Sequence, residues 1–130
     1  MCPLEGKCLS SSIVYQANII TTTYTKMYIG QSGGPFKSRF YNHIKSFKHI
    51  RYAKDTVLSQ YIWELKNTNT DYVITWIIIK QSNINKRSSG QCNLCLDEKL
   101  LIMRNLNNNL LNKRSEFSSS CRHNKRKPMT

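Results

Sequence analysis

Acidic residues are scarce in this chain. Seven Asp and Glu stand against twenty Lys and Arg, for a net charge of +13. A field of that sign rules out a basic partner and draws a polyanion, of which nucleic acid is the usual one. An anionic membrane surface or a ribosome-like scaffold are the other classes such a charge serves. Long hydrophobic runs are missing too. The longest, Val73 to Ile79, is interrupted by Thr75 and has the length of a strand, well short of the roughly 20 residues that cross a bilayer. No membrane association is therefore expected. The first dozen residues hold Glu5, Lys7 and three serines, so no secretory core opens the chain. A nuclear or other intracellular location follows, not secretion. Cysteine occurs as an odd set of five: Cys2, Cys8, Cys92, Cys95 and Cys121. Without a leader, that count speaks against a disulfide framework and for reduced thiols.

What is present suits one folded domain. The chain has 130 residues, 39% of them hydrophobic, enough for a single core and too few for two. Its basic residues are unevenly spread. Between Lys37 and Lys54 lie Lys37, Arg39, Lys45, Lys48, Arg51 and Lys54, with no acidic residue and with aromatic side chains interleaved. Lys37, Lys45 and Lys48 are the candidate substrate-binding cations of this stretch. Arg122, Lys125, Arg126 and Lys127 load the tail, as a solvated end or a nuclear-import signal.

Periodicity predicts the elements. Ile13 to Ile20 alternates as a strand, with Ile13, Tyr15, Ala17 and Ile19 on one side. Thr21 to Thr25 reads as a hairpin loop and Lys26 to Gly30 as a short second strand. Gly30 to Pro35 is the most loop-like stretch, and a helix should start there with Pro35 or Phe36 in its first turn. In it Phe36, Phe40, Ile44 and Phe47 form the apolar stripe. Arg39 and His43, four apart, project together beside that stripe. Asp55 is the expected cap of a second helix carrying Leu58, Tyr61, Ile62 and Leu65. Tyr72 to Lys80 reads as a third strand, Gln81 to Gly90 as a polar loop, and Cys92 to about Arg104 as a third helix with Glu98 at its middle. After an Asn-rich break from Asn105 to Asn109, Leu110 to Cys121 is expected to form a last short helix. The order β-β-α-α-β-α-(α) predicts an α/β (α+β) fold, with one small, mainly antiparallel three-stranded sheet flanked by helices. Residues 1–11 are expected to be a cysteine-containing lead segment, 12–120 the folded domain and 121–130 a basic tail.

Two tyrosine triplets open the domain, Ile13-Val14-Tyr15 and Tyr28-Ile29-Gly30, with twelve residues between their tyrosines. Downstream come Arg39 and His43 as R-x-x-x-H, then Glu98 on a helix, then Asn112. This ordered set resembles the GIY-YIG nuclease family over nearly the whole chain. The second triplet is a complete YIG, and the first keeps only the tyrosine of GIY. Cys2 to Cys8, Gly34-Pro35-Phe36, Tyr61 to Lys66, Cys92 to Cys95, Leu110 to Glu116 and Cys121-Arg122-His123 look like the endonuclease domain of Penelope-like retroelements. In that group the nuclease follows a reverse transcriptase on one polyprotein. The chain is accordingly expected to derive from such a fusion, as a fragment or a decayed copy.

The resemblance implies the chemistry. Phosphodiester hydrolysis needs an activated water, a base, a Lewis acid and charge relief on the phosphate. Glu98 would bind Mg²⁺ or Mn²⁺ by its carboxylate, with water and phosphate oxygens completing the shell. Arg39 would grip the scissile phosphate. Tyr15 is the implied general base or water positioner, helped by a neighbour because a free tyrosine has a pKa of about 10. Tyr28 would line the site or bind phosphate, and His43 would relay a proton or orient Tyr15. His49 is a weaker candidate. Gly30 would let the backbone come close to substrate, and Asn112 would tie the segment after the Glu98 helix to the site. Cys92 and Cys95 with Cys121 and His123 have the residue types of a structural zinc site, with Cys2 and Cys8 as rival ligands. Three readings are carried: a metal-dependent DNA endonuclease, a decayed copy that binds nucleic acid without cutting, and a basic structural protein. The presence of Tyr15, Tyr28, Arg39, Glu98 and Asn112 favours the first over the second, and the third predicts no clustering of these side chains.

Overall fold

The computed structural model describes residues 2–82, 93–105 and 109–112. Strands β1 (Ile13–Ile20), β2 (Thr25–Ser32) and β3 (Val73–Gln81) form one antiparallel sheet in the order β2-β1-β3. Helices α1 (Phe36–Lys48) and α2 (Val57–Asn67) lie between β2 and β3 in the chain, separated by a short 3-10 turn at Ile50–Tyr52. Helix α3 (Asn93–Arg104) follows β3. The three-stranded mixed α+β fold is thus as the periodicity predicts.

β1 is central and buried on both faces. Its odd residues Ile13, Tyr15, Ala17 and Ile19 join one core with Phe36 and Phe47 of α1, Leu58, Ile62 and Leu65 of α2, and Trp76 of β3. Val14, facing the other way, joins a second core with Ile29, Leu94, Cys95, Ile102 and Leu110. The period-two alternation of a strand therefore splits the apolar side chains between α1 and α2 on one face and α3 on the other. Leu4 and Cys8 of the lead segment pack into the first core.

The helix ends are satisfied locally. α1 begins at Phe36, with Pro35 as the flanking residue and no side-chain cap. Its first N–H groups are taken by the lead segment instead: Phe36 N donates to the Ser10 carbonyl at 3.0 Å and Lys37 N to the Cys8 carbonyl at 2.7 Å. α2 is capped by Thr56, not by Asp55. Thr56 Oγ1 accepts from Ser59 N at 3.0 Å while Thr56 N donates to Ser59 Oγ at 3.1 Å, a reciprocal box that Asp55, one residue too early, does not make. Further corrections concern boundaries. β2 starts at Thr25 and runs to Ser32, because its pairing with β1 continues past the predicted loop to Ile13↔Ser32. Leu110 starts no helix; it bridges Met27 in parallel, with Met27 N donating to Asn109 O and Leu111 N to Met27 O, both at 2.7 Å. The outer edge of β2 is thereby partly covered. Residues 113–121 of the expected last helix lie outside the described residues.

Candidate active site

The centre of the site is the hydroxyl of Tyr15. The β1 pairing puts Tyr15 opposite Gly30 of β2, and its ring crosses over that glycine. A β-carbon on Gly30 would stand 2.5 Å from Tyr15 Oη, so the missing side chain leaves the space the ring occupies. The close approach expected at Gly30 is therefore made by Tyr15 of the chain itself. A break in β1–β3 register between Val14 and Tyr15 lies beside it, the kind of irregularity that re-aims a side chain near a functional site.

α1 supplies the partners. Arg39 and His43 are one turn apart and both reach Tyr15: Arg39 Nε donates to its hydroxyl at 3.2 Å, and the hydroxyl lies 2.6 Å from His43 Nε2. Tyr15 is 0% and His43 2% exposed, so the phenolic proton needs a partner inside the protein. A neutral His43 offers the lone pair of Nε2. Burial and then the Arg39 charge push the His43 pKa down to about 3, which keeps that lone pair available at neutral pH. Burial likewise raises Tyr15, with Arg39 opposing and the Glu98 charge adding, to about 12. Burial works against the Arg39 charge, but Tyr15 and Tyr28 more than offset it and its pKa lies above the usual value. The group is thus a fixed cation with two neutral partners, built around one oxygen.

Tyr28 completes the ring cluster, its centroid 6.5 Å from Tyr15 and 5.8 Å from His43. Trp76 on β3 packs edgewise on Phe40 and lies 6.0 Å from Tyr15 and 5.4 Å from His43. Sequence reasoning did not single out Trp76. Its signal is the register: Trp76 pairs with Ala17, whose small side chain leaves room beside Tyr15.

Glu98 comes from the other face of the sheet. Gln31, the residue after the YIG triplet, donates from Nε2 to Glu98 Oε1 at 2.6 Å. That tie holds α3 against β2 and aims the carboxylate. Gln31 also escaped sequence reasoning, although strand alternation turns it to the α3 face once Tyr28 and Gly30 face α1. Asn112 acts two residues earlier on β2, at Ile29. Its Oδ1 accepts from Ile29 N at 2.8 Å and its Nδ2 donates to Ile29 O at 2.9 Å. It is a backbone mimic that satisfies β2 next to Gly30, so it supports the site without reaching the Tyr15 hydroxyl.

The remaining candidates are dispersed. Lys37 and Lys48 are exposed and Lys45 half-buried on the outer side of α1, away from Arg39. His49 ends α1 and meets Tyr52. Cys2 and Cys8, expected as reduced thiols and rival zinc ligands, are bonded to one another. The turn at Glu5 and Gly6, both at positive φ, brings their α-carbons to 5.8 Å, a separation a disulfide spans. As bonded, neither sulfur is a thiolate ligand. Cys95 is buried in the α3-side core with Gln31 as a polar neighbour. Cys92, Cys121 and His123 lie outside the described residues.

Among the described residues no three His, Cys, Asp or Glu side chains group as a metal cage. That does not oppose Mg²⁺ or Mn²⁺, which are commonly held by one or two carboxylates with water and phosphate oxygens filling an octahedron. Glu98, an oxygen donor oriented by Gln31 and with its charge acting on Tyr15, fits that pattern. Comparison of the chain with family models, with curated proteins and with solved structures found no match in any of the three.

Proposed function

We propose that the chain is a metal-dependent DNA endonuclease of the GIY-YIG type, of Penelope-like retroelement origin and once joined to a reverse transcriptase, that nicks phosphodiester bonds. The observation that carries the reading is the Tyr15 hydroxyl held between Arg39 Nε and His43 Nε2, with the Glu98 charge close enough to act on it. A buried phenol aligned on a cation and a neutral imidazole supports an enzymatic reading over a purely structural one.

Arg39 is the group for the scissile phosphate: permanently charged, half-exposed and already oriented. When Arg39 turns onto a phosphate it uncovers the Tyr15 hydroxyl. Tyr15 then works as a neutral relay, since a pKa of about 12 leaves no phenolate at neutral pH. Its oxygen accepts the proton of the attacking water as its own proton passes to His43 Nε2. The Arg39 charge contributes to holding His43 neutral, and a phosphate on Arg39 offsets that charge. Substrate binding thereby raises the proton affinity of His43 when it is needed. A bound Mg²⁺ or Mn²⁺ would supply Lewis acidity toward the phosphate and water, and Glu98 is the residue to hold it.

Purified protein with Mg²⁺ or Mn²⁺ should convert supercoiled plasmid to the nicked form, and Glu98→Ala should abolish this while keeping its circular dichroism spectrum. Equal residual nicking by the wild type and Glu98→Ala would refute the reading. DNA binding with no nicking by the wild type would instead identify a decayed copy. We also propose a structural zinc on Cys92, Cys95, Cys121 and His123; metal analysis of the folded protein showing no zinc would overturn it.

A further inference from the structure

We propose that the outer face of α1 and the turn after it form a second DNA surface, separate from the tyrosine cluster, that binds single-stranded DNA through its phosphates and one unpaired base. The choice of DNA rests on the endonuclease reading. At 3.6 residues per turn, Lys37, Tyr41, Lys45 and Lys48 fall within about 80° of the helix circumference. The core side of the same helix carries Phe36, His43 and Phe47, so this stripe points away from the sheet and from the Tyr15 hydroxyl. Tyr41 is 65% exposed at its middle. Nothing in the packing of the fold calls for an aromatic ring there.

The stripe continues into the 3-10 turn. Lys45 Nζ lies 4.9 Å from the centroid of Tyr52, and the Arg51 guanidinium carbon 5.1 Å from the same ring. One ring thus holds two cations on the surface by cation–π attraction. No acidic residue occurs from Lys37 to Lys54, so the segment itself supplies no carboxylate to neutralise them. Lys37 and Lys45 sit about 6 Å to either side of Tyr41 and so about 12 Å from one another along the helix axis, roughly two phosphate steps of an extended strand with the ring at the middle. An exposed ring between phosphate-binding cations is the arrangement that stacks an unpaired base while the backbone is held electrostatically. Duplex DNA would use the cations and leave the ring idle, since its bases are already stacked. A lipid surface asks for a broad apolar face to insert. Here lysines surround one tyrosine, and Ile50 is the one large apolar side chain exposed in the turn beyond.

The test is fluorescence anisotropy of the full chain without added Mg²⁺ or Mn²⁺, with labelled oligodeoxythymidine and, separately, a labelled duplex. Tyr41→Ala should weaken single-strand binding roughly tenfold and duplex binding by no more than about twofold, and Tyr41→Phe should restore the single-strand affinity. Lys37→Ala with Lys48→Ala should reduce the salt dependence of single-strand binding by about 1.4 in log–log slope. Unchanged single-strand affinity for Tyr41→Ala, or equal loss toward both DNA forms, would overturn the proposal. So would sedimentation with phosphatidylserine vesicles that Tyr41→Ala abolishes while DNA binding stays intact. Omitting the divalent ion removes cleavage from the measurement. A chain that nicks but ignores Tyr41 refutes this surface alone, and a chain that binds in the stated pattern but never nicks refutes the endonuclease reading alone.

Discussion

Replacing Gly30 by alanine tests the construction of the tyrosine cluster at its tightest point. The new β-carbon would meet Tyr15 Oη at 2.5 Å, Tyr15 Cζ at 2.6 Å and Tyr28 Cε2 at 3.0 Å. Two of those separations are below any that packed carbon atoms tolerate, so either the strand or the ring has to move. The strand is paired on β1, with Gly30 opposite Tyr15 itself, and Asn112 holds the adjacent Ile29 from outside. The ring is wedged against Phe36 at 4.9 Å, with His43 and Trp76 around it. Overpacking of this kind costs about 1–3 kcal/mol, and displacement of the ring forfeits the two Tyr15 hydrogen bonds at about 1 kcal/mol each. Replacing a strand glycine returns roughly 0.5–1 kcal/mol. The net is a loss of about 2–4 kcal/mol, read as a fall in the urea midpoint. The same change in a Tyr15→Leu background, whose side chain stops short of the clash, should be neutral or slightly stabilising. An equal cost in both backgrounds would show that the Tyr15 ring is not what Gly30 accommodates.

Two further outcomes follow from the same geometry. His43 has a pKa near 3 in the folded chain against 6.5 unfolded, so below pH 6.5 the unfolded state takes up the proton first. The stability due to its neutral burial is intact above pH 6.5 and falls as pH drops toward 3, at up to about 1.4 kcal/mol per pH unit; His43→Gln should flatten that slope, and parallel urea-midpoint profiles for the two proteins would contradict the burial argument. Asn112→Ala leaves Ile29 N–H and C=O without their side-chain partners, at roughly 2–4 kcal/mol for the pair; a midpoint within experimental error of wild type would mean that the bridge contributes nothing.

Several features were readable because they depend on neighbours in the chain. The alternation from Ile13 to Ile20 marks a strand, and the Phe36, Phe40, Ile44, Phe47 spacing marks the inner face of α1. Arg39 and His43 could be paired because helical spacing alone puts them together. Spacing could not say that His43 turns inward, because its partner Tyr15 lies 28 positions away. Nor could it distinguish Asp55 from Thr56 as the cap, which depends on where the Ser59 hydroxyl points. The Cys2–Cys8 bond was missed for a related reason: a ligand pair and a disulfide share that spacing, and the turn between them decides.

By itself, then, the sequence determined the β-β-α-α-β-α order, the basic character of the α1 segment and the residue types at the candidate site. These are matters of period, composition and residue type, each expressed over a few turns or one strand. Only the tertiary structure decided what those side chains do to one another. It put the Tyr15 ring over Gly30, made its hydroxyl the meeting point of Arg39 and His43, and tied Glu98 to the strand through Gln31 across 67 positions. It also placed Lys37, Lys45 and Lys48 on the outer face of α1, away from the Tyr15 hydroxyl. Contacts across such separations arise when strand register and helix docking are set by burial of two distinct apolar faces, and no local pattern encodes the result.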